Sequence, residues 1–333
     1  MLKPGEKSVL VLQSSPKSRR LTARAVAATG AHCVAPPTGE ESTQALANGP
    51  LDVLVVDWEN AALAQQAVKL NPRLEVVLLT DRPAFERYAE DIMDLPMSSM
   101  IVSSFVAVPD ANDPVATREL VTTVAKLFTG DIFGLEKYMG WGAAIREQEI
   151  RASQQAEGIV QSACEDAARS GMPERELSSL GLLVDELCTN AVWDAPVDAE
   201  GQPRYADKSR AQPVALAPNE YVTVRYGSDG NLFGVSVSDN FGRLDQDLAV
   251  RYIRKCFRHN DQQVSKSAGG AGLGLYMAFN SVSSFVINVD PGVRTEVIGL
   301  IRLGRAPKPP AGESLGTSRS LCYFRTKRPK KGE

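Results

Sequence analysis

Four short runs constrain the fold of this chain more than anything else in it: SVLVL (residues 8–12), LDVLVVD (51–57), LEVVLLT (74–80) and SMIVSSF (99–105). They are nearly all apolar. A strand with one wet face alternates apolar and polar residues, whereas a strand apolar at almost every position has to be covered on both sides. Helical stretches such as SRRLTARAVAATG and TQALANG separate the runs, and DPVATRELVTTVAKLFTGD closes the series. Such alternation predicts a doubly wound parallel sheet with helices on both faces over residues 1–127, an α/β architecture in which ligands sit at the carboxyl ends of the strands.

Asp57 closes LDVLVVD, Thr80 closes LEVVLLT, and a second strand is expected near AHCVAPP. At these strand ends the segment resembles a bacterial response-regulator receiver domain, of flavodoxin-like fold. The resemblance implies that Asp57 stands at the phosphate-accepting position and Thr80 at the switch hydroxyl. The family's metal-holding acidic pair is replaced by Gln13 and Ser14, and its phosphate-pairing lysine by Ser103. Phosphoryl transfer to a carboxylate needs a divalent cation and a cationic group for the developing charge. The expectation is therefore a pseudo-receiver with a vestigial site at Asp57 and Thr80, acting as a docking module. An Asp57 that merely caps the following turn predicts the same inactivity.

With 333 residues, 43% hydrophobic, the chain is long enough for two cores. A net charge of -3 gives no general attraction to nucleic acid, and no run of eighteen apolar residues predicts membrane insertion. The opening MLKPGEKSVLVLQSS has no signal-peptide pattern, and five scattered cysteines without a CxxC pair fit a reduced, cytoplasmic setting. Two histidines, His32 and His259, leave little for histidine-based metal chemistry. Residues 128–155 mix glycine and aromatic residues with helix formers and read as a structured connector that opens a second domain.

The second half carries the chemistry. SSLGLLVDELCTNAVWDAP (178–196) places Leu180, Leu183, Leu187 and Ala191 on one face of a helix stopped by Pro196. Glu186 and Asn190 lie four apart and project from one side, where an amide oxygen can ligate Mg2+ and a carboxylate can take a proton. EYVTVRYGSDGNLFGVSVSDNFG alternates strictly around a Gly/Ser/Asp/Asn turn, a β-hairpin with one face in the core. It ends at Asp239, a strand-end carboxylate able to accept from an adenine amino group, with Gly242 close behind. SAGGAGLGLYMAFNSVSS (267–284) sets Gly269, Gly270, Gly272 and Gly274 before a helix, a turn suited to an anion. A dinucleotide fingerprint with Asp290 as its later acid is the competing reading. Leu275 in place of the third glycine, and the polar DQQVSKSA in place of a buried strand, count against it.

The order ELCTNA, DNFG, GGAGLGL, then GVRT before the strand EVIGLI resembles the nucleotide-binding boxes of the GHKL ATPase superfamily, over about residues 140–306. The superfamily includes histidine-kinase catalytic domains, anti-sigma serine kinases, Hsp90-type chaperones and gyrase B-type subunits; AEGIVQSACEDAARSGMPERELSS looks most like the anti-sigma branch. The resemblance implies a C-terminal α/β two-layer sandwich of the GHKL (Bergerat) type over 156–306, with ATP and Mg2+ as cofactors. It implies that Glu186 is the base, Asn190 the Mg2+ ligand and Asp239 the adenine reader. Gly242 would let the backbone approach the base, with Thr295 supporting the adenine contact. Gly270, Gly272 and Gly274, with Leu273 among them, would hold phosphates. Where the family has DxGxG, Phe241 and Arg243 take the glycine positions.

In the lid position, Ala249, Ile253 and Phe257 form an apolar stripe that packs a helix whose basic residues are solvated, unless one of Arg251, Arg254, Lys255 and Arg258, or Lys266 beside the glycines, reaches the terminal phosphate as the resemblance implies. Neither histidine sits in a phosphoacceptor hairpin, so phosphorylation or regulation of a partner signalling protein in trans is expected. A scaffold that binds ATP without turnover, or no nucleotide, is the alternative. Residues 307–333 read as an added strand, RSLCYF, and a basic tail. Pairing of two copies through either half is left open.

Overall fold

The computed structural model describes residues 7–37, 41, 44–46, 51–80, 104–107, 113–198, 200–205, 207–244, 279, 281–304 and 320–326. The chain divides into two compact units. One comprises Met1–Ile132 with Ala306–Lys327, the other Phe133–Arg305 with Arg328–Glu333.

In the first unit, β1 (Ser8–Leu12), β2 (His32–Val34), β3 (Val53–Asp57), β4 (Glu75–Thr80) and β5 (Ser104–Ala107) pair in parallel in the order β2-β1-β3-β4-β5. The apolar runs behave as their composition demands: Val9 to Leu12 and Val53 to Val56 are buried at every position. Among the described residues, α1 (Pro16–Ala27), α2 (Ala61–Leu70) and α3 (Pro114–Thr129) accompany these strands. Ser15 caps the first and Asp113 the third, each side chain accepting backbone N–H bonds ahead of a proline in the first turn. The fourth expected strand, 99–105, is described from Ser104 onward.

The C-terminal segment returns to this unit. β11 (Ser320–Arg325) pairs antiparallel with β5, Leu321 against Phe105 and Cys322 against Ser104. Its contacts with α3 are unusually polar for an interior. Ser320 donates to Glu119 at 2.9 Å, the Thr123 hydroxyl meets the Cys322 sulfur at 3.9 Å, and the Lys126 ammonium lies 4.0 Å from the centre of the Phe324 ring.

The second unit is an antiparallel sheet in the order β9-β10-β8-β7-β6, built from β6 (Ala144–Ile150), β7 (Val222–Ser228), β8 (Leu232–Asp239), β9 (Ser284–Asp290) and β10 (Arg294–Arg302). Two helices, α4 (Ala156–Arg169) and α5 (Glu174–Thr189), pack on each other and on the sheet. A Cβ on Gly299 would lie 2.8 Å from a methyl of Leu183, so α5 lies on the β10 face that bears Gly299. Strand alternation puts Thr295 and Val297 on that same face. The β10–β8 register, Thr295 opposite Asp239 and Val297 opposite Val237, carries Asp239 to it as well.

The opposite face has its own cover. Glu296, fully buried, accepts from the Gly134 backbone N–H at 2.9 Å, from Asn288 at 2.8 Å and from Ser236 at 2.7 Å. This network ties residues 133–139 across three strands, and Arg294 stacks 4.5 Å from the centre of the Phe133 ring. Sequence alternation predicts a hairpin with one face in the core, yet every residue of β8 is buried. The difference arises because Leu135 and Met139 of the connector lie against Gly234, while Ser236 and Ser238 are bonded to Glu296 and Arg294 of β10. AIREQEI, which reads as helix-forming, is the outer strand β6, its side chains mostly exposed.

Candidate functional site

α5 begins at Glu174 and its regular turns end at Thr189; Asn190–Asp194 continue as one π-helical turn, closed by the Ala195 N–H on the Asn190 carbonyl at 3.0 Å. Such a bulge widens the helix locally and is frequent at functional sites. Leu183, Val184 and Leu187 fill the core, leaving Glu186 and Asn190 half-buried on the flank. The Asn190 amide donates to Glu186 Oε1 at 3.3 Å, which leaves its own oxygen to face outward chemistry. Burial pushes the Glu186 carboxyl upward; the Asn190 bond and Arg210 oppose this, while Asp194 and Asp185 reinforce it. The outcome is a carboxyl group closer to neutral pH than an exposed glutamate, which suits proton transfer.

Asp239 ends β8 with 7% exposure. Burial lifts its pKa to about 6, although N–H groups of Phe241, Gly242 and Thr295 hold the charged form. The first two reach Oδ1 at 2.8 and 3.2 Å. The Thr295 hydroxyl favours the same carboxylate from the neighbouring strand without reaching hydrogen-bond geometry, and it is buried with no partner. A buried hydroxyl without a hydrogen-bond partner beside a buried carboxyl is a place where an additional polar group would be satisfied.

Gly242 has a packing explanation of its own. At φ +61° its missing Cβ would fall 2.2 Å from the Asp290 carbonyl and 2.5 Å from the Val293 nitrogen, and its carbonyl accepts from Gly292 N–H at 2.9 Å. Only glycine fits against the β9–β10 turn there. Arg243 reaches the Gly201 carbonyl at 2.9 Å. Lys266, Gly270, Gly272, Leu273 and Gly274, the glycine-rich turn and lid of the sequence reading, lie outside the described residues.

In the first unit Asp57 is 9% exposed and both its oxygens are engaged. The Ser14 N–H donates to one at 2.6 Å, and the Asn60 amide and N–H to the other at 2.5 and 3.2 Å. It caps the short turn Trp58–Asn60. Gln13 is buried with its side-chain oxygen unpartnered. Thr80 closes β4, as expected, and its side chain and Ser103 lie outside the described residues.

Sequence reasoning missed the segment between α5 and β7. WDAPVDAEGQPRYADKSRAQPVALAP reads as a polar, proline-rich stretch, yet Arg204 forms a paired bridge to Glu220 at 2.7 and 2.6 Å, and Tyr205 packs edge-on to Trp193. The aromatic and charged residues spaced through it were the available signal.

Fold and site together describe a two-unit α/β protein with a capped aspartate in one unit and a carboxylate–amide pair above an antiparallel sheet in the other. Among solved structures it is similar to the response regulator protein TrrA from Thermotoga maritima in complex with Mg2+-BeF. The likeness is weak: 25% identity over 36% of this chain and 98% of that chain, with a TM-score of 0.29. No family model matches the chain, and no curated protein matches it. Among the described residues no helix is long and apolar enough to cross a membrane.

Proposed function

We propose that the Phe133–Arg305 unit binds ATP with Mg2+ in a GHKL-type α/β two-layer sandwich, and that the protein phosphorylates or regulates a partner signalling protein in trans. The receiver-like unit serves as the docking module and takes no phosphate, since one Asp57 oxygen is held by the Ser14 N–H and the other by Asn60 of the turn it caps. One observation carries the reading: Asp239 and Thr295 project from the sheet face on which the helix of Glu186 and Asn190 is packed. Asp239 would accept from the adenine amino group and the orphan Thr295 hydroxyl would complete that contact. Asn190 would offer its amide oxygen to the metal, whose chemistry when bound is to neutralise phosphate charge. Glu186, held by the Asn190 amide, would take the proton from the attacking hydroxyl or water.

A fluorescent ATP analogue titrated with and without Mg2+ tests this. Metal-dependent binding is expected, weakened at least tenfold in Asn190→Ala, while Glu186→Ala keeps binding and loses turnover. Absence of binding up to the order of a millimolar overturns the reading. A scaffold that engages partners without turnover is favoured by Phe241 and Arg243, the latter committed to Gly201; binding that persists with no hydrolysis in the wild type identifies it.

A further inference from the structure

The Asp194–Arg210 pair beside the π turn has a geometry that ordinary surface pairs lack. The described residues between 196 and 220 are held by Val197 bridging Pro203, by Asp198 accepting from the Gln202 N–H at 2.8 Å, and by the Arg204–Glu220 bridge. Tyr205 donates to the Ala215 carbonyl at 2.8 Å and sets its ring 6.0 Å from Trp193. The segment is thus anchored to the π turn at Trp193, and it delivers Arg210 to that turn. The Arg210 guanidinium donates to Asp194 Oδ1 at 2.8 Å and lies 5.0 Å from the centre of the Trp193 ring.

Asp194 is four residues beyond Asn190, which is four beyond Glu186, so the pair continues the flank that bears both. Arg210 favours the charged form of Glu186 and is therefore close enough to act on it. Arg204 is spent on Glu220 and Arg243 on Gly201, whereas the partner of Arg210 is a single carboxylate, with both side chains nearly half exposed at 44% and 47%.

Resting on the nucleotide reading above, we propose that Arg210 reads the terminal phosphate of a nucleoside triphosphate and is parked on Asp194 while the site is free. A half-exposed ion pair is weakly held, and a phosphate offers a planar guanidinium two charge-assisted bonds in place of one. Release costs little here, because both side chains are nearly half exposed and water can take up each charge once the pair parts. Trp193 lies under the parked guanidinium, 5.0 Å from ring centre to the charge, so its ring reports the departure. Arg210 is in this sense a specificity residue that distinguishes triphosphate from diphosphate.

The test measures Mg-ATP and Mg-ADP binding to the full chain and its variants by competition with a fluorescent analogue. Arg210→Ala is expected to lose about tenfold in ATP affinity with ADP changed by less than about twofold. Arg210→Lys retains part of the preference, and Asp194→Asn, which removes the competing carboxylate, tightens ATP alone. With Trp58 and Trp141 replaced by Phe, the Trp193 emission should shift on ATP and not on ADP as the guanidinium leaves its ring. Equal weakening of both nucleotides in Arg210→Ala, or no weakening, overturns this assignment while leaving the site reading intact. Failure of the wild type to bind either nucleotide overturns both.

Discussion

Asp239 is the residue whose chemistry sets a pH window. The folded chain keeps its proton up to about pH 6, whereas an exposed aspartate loses it near 3.8. Between those values the native state holds more protons than the unfolded chain, so this group lowers stability as pH rises, and the penalty is constant above about 6. Asp239→Asn should therefore gain on the order of 1 to 3 kcal/mol at pH 7 and almost nothing near pH 4, read from urea unfolding at both. The same substitution should abolish nucleotide selectivity for adenine, and wild-type affinity should fall below pH 6 as the carboxylate that accepts the adenine hydrogen bond is protonated. The helix positions of Glu186 and Asn190 and the strand-end position of Asp239 were legible in the sequence because helical and strand spacing place side chains before any tertiary contact forms. Glu296 was not legible. It reads as one more residue of the strand EVIGLI, and its burial depends on a connector from far upstream that sequence period cannot reveal.

At the scale of elements, the stabilising features of the second unit lie where backbone meets backbone or where a carboxylate gathers donors. Glu296→Ala leaves the Gly134 N–H, Asn288 and Ser236 without their acceptor. The expected loss is about 3 to 5 kcal/mol by chemical denaturation, with Glu296→Gln in between. Gly242→Ala drives a Cβ into the β9–β10 turn from a left-handed backbone and should cost about 2 kcal/mol or more, shifting the denaturation midpoint without changing its slope. The hairpin of β7 and β8 was readable from its alternation and turn residues. The π turn was not, because it is the last turn before Pro196 and no further apolar repeat follows it to reveal the extra residue. β6 was hidden for a related reason: Glu, Gln and Arg favour helices intrinsically, and pairing with β7 overrides that preference at an edge.

At the scale of the whole molecule, sequence patterns gave the parallel sheet of the first unit directly, since runs buried on both faces admit few other arrangements. They gave β11 as a strand but not its partner, because a short apolar run carries no record of which sheet edge it will join. Its placement against β5 and α3 makes β11 part of the first unit's core. A chain stopped at Gly304 should lose amide-exchange protection in β5 first and then in β4. α3, whose Glu119, Thr123 and Lys126 then face water without Ser320, Cys322 and Phe324, should follow. Retained protection in β5 would show that the unit closes without its last strand.

That arrangement also governs the order of events at the ribosome. The amino-terminal half emerges first but stays an open sheet, with the polar side of α3 uncovered, until Arg325 has been made. Completion of the first unit is thereby deferred until residues 133–305 have been synthesised, and a prematurely released polypeptide would present an unfinished edge for quality control to find.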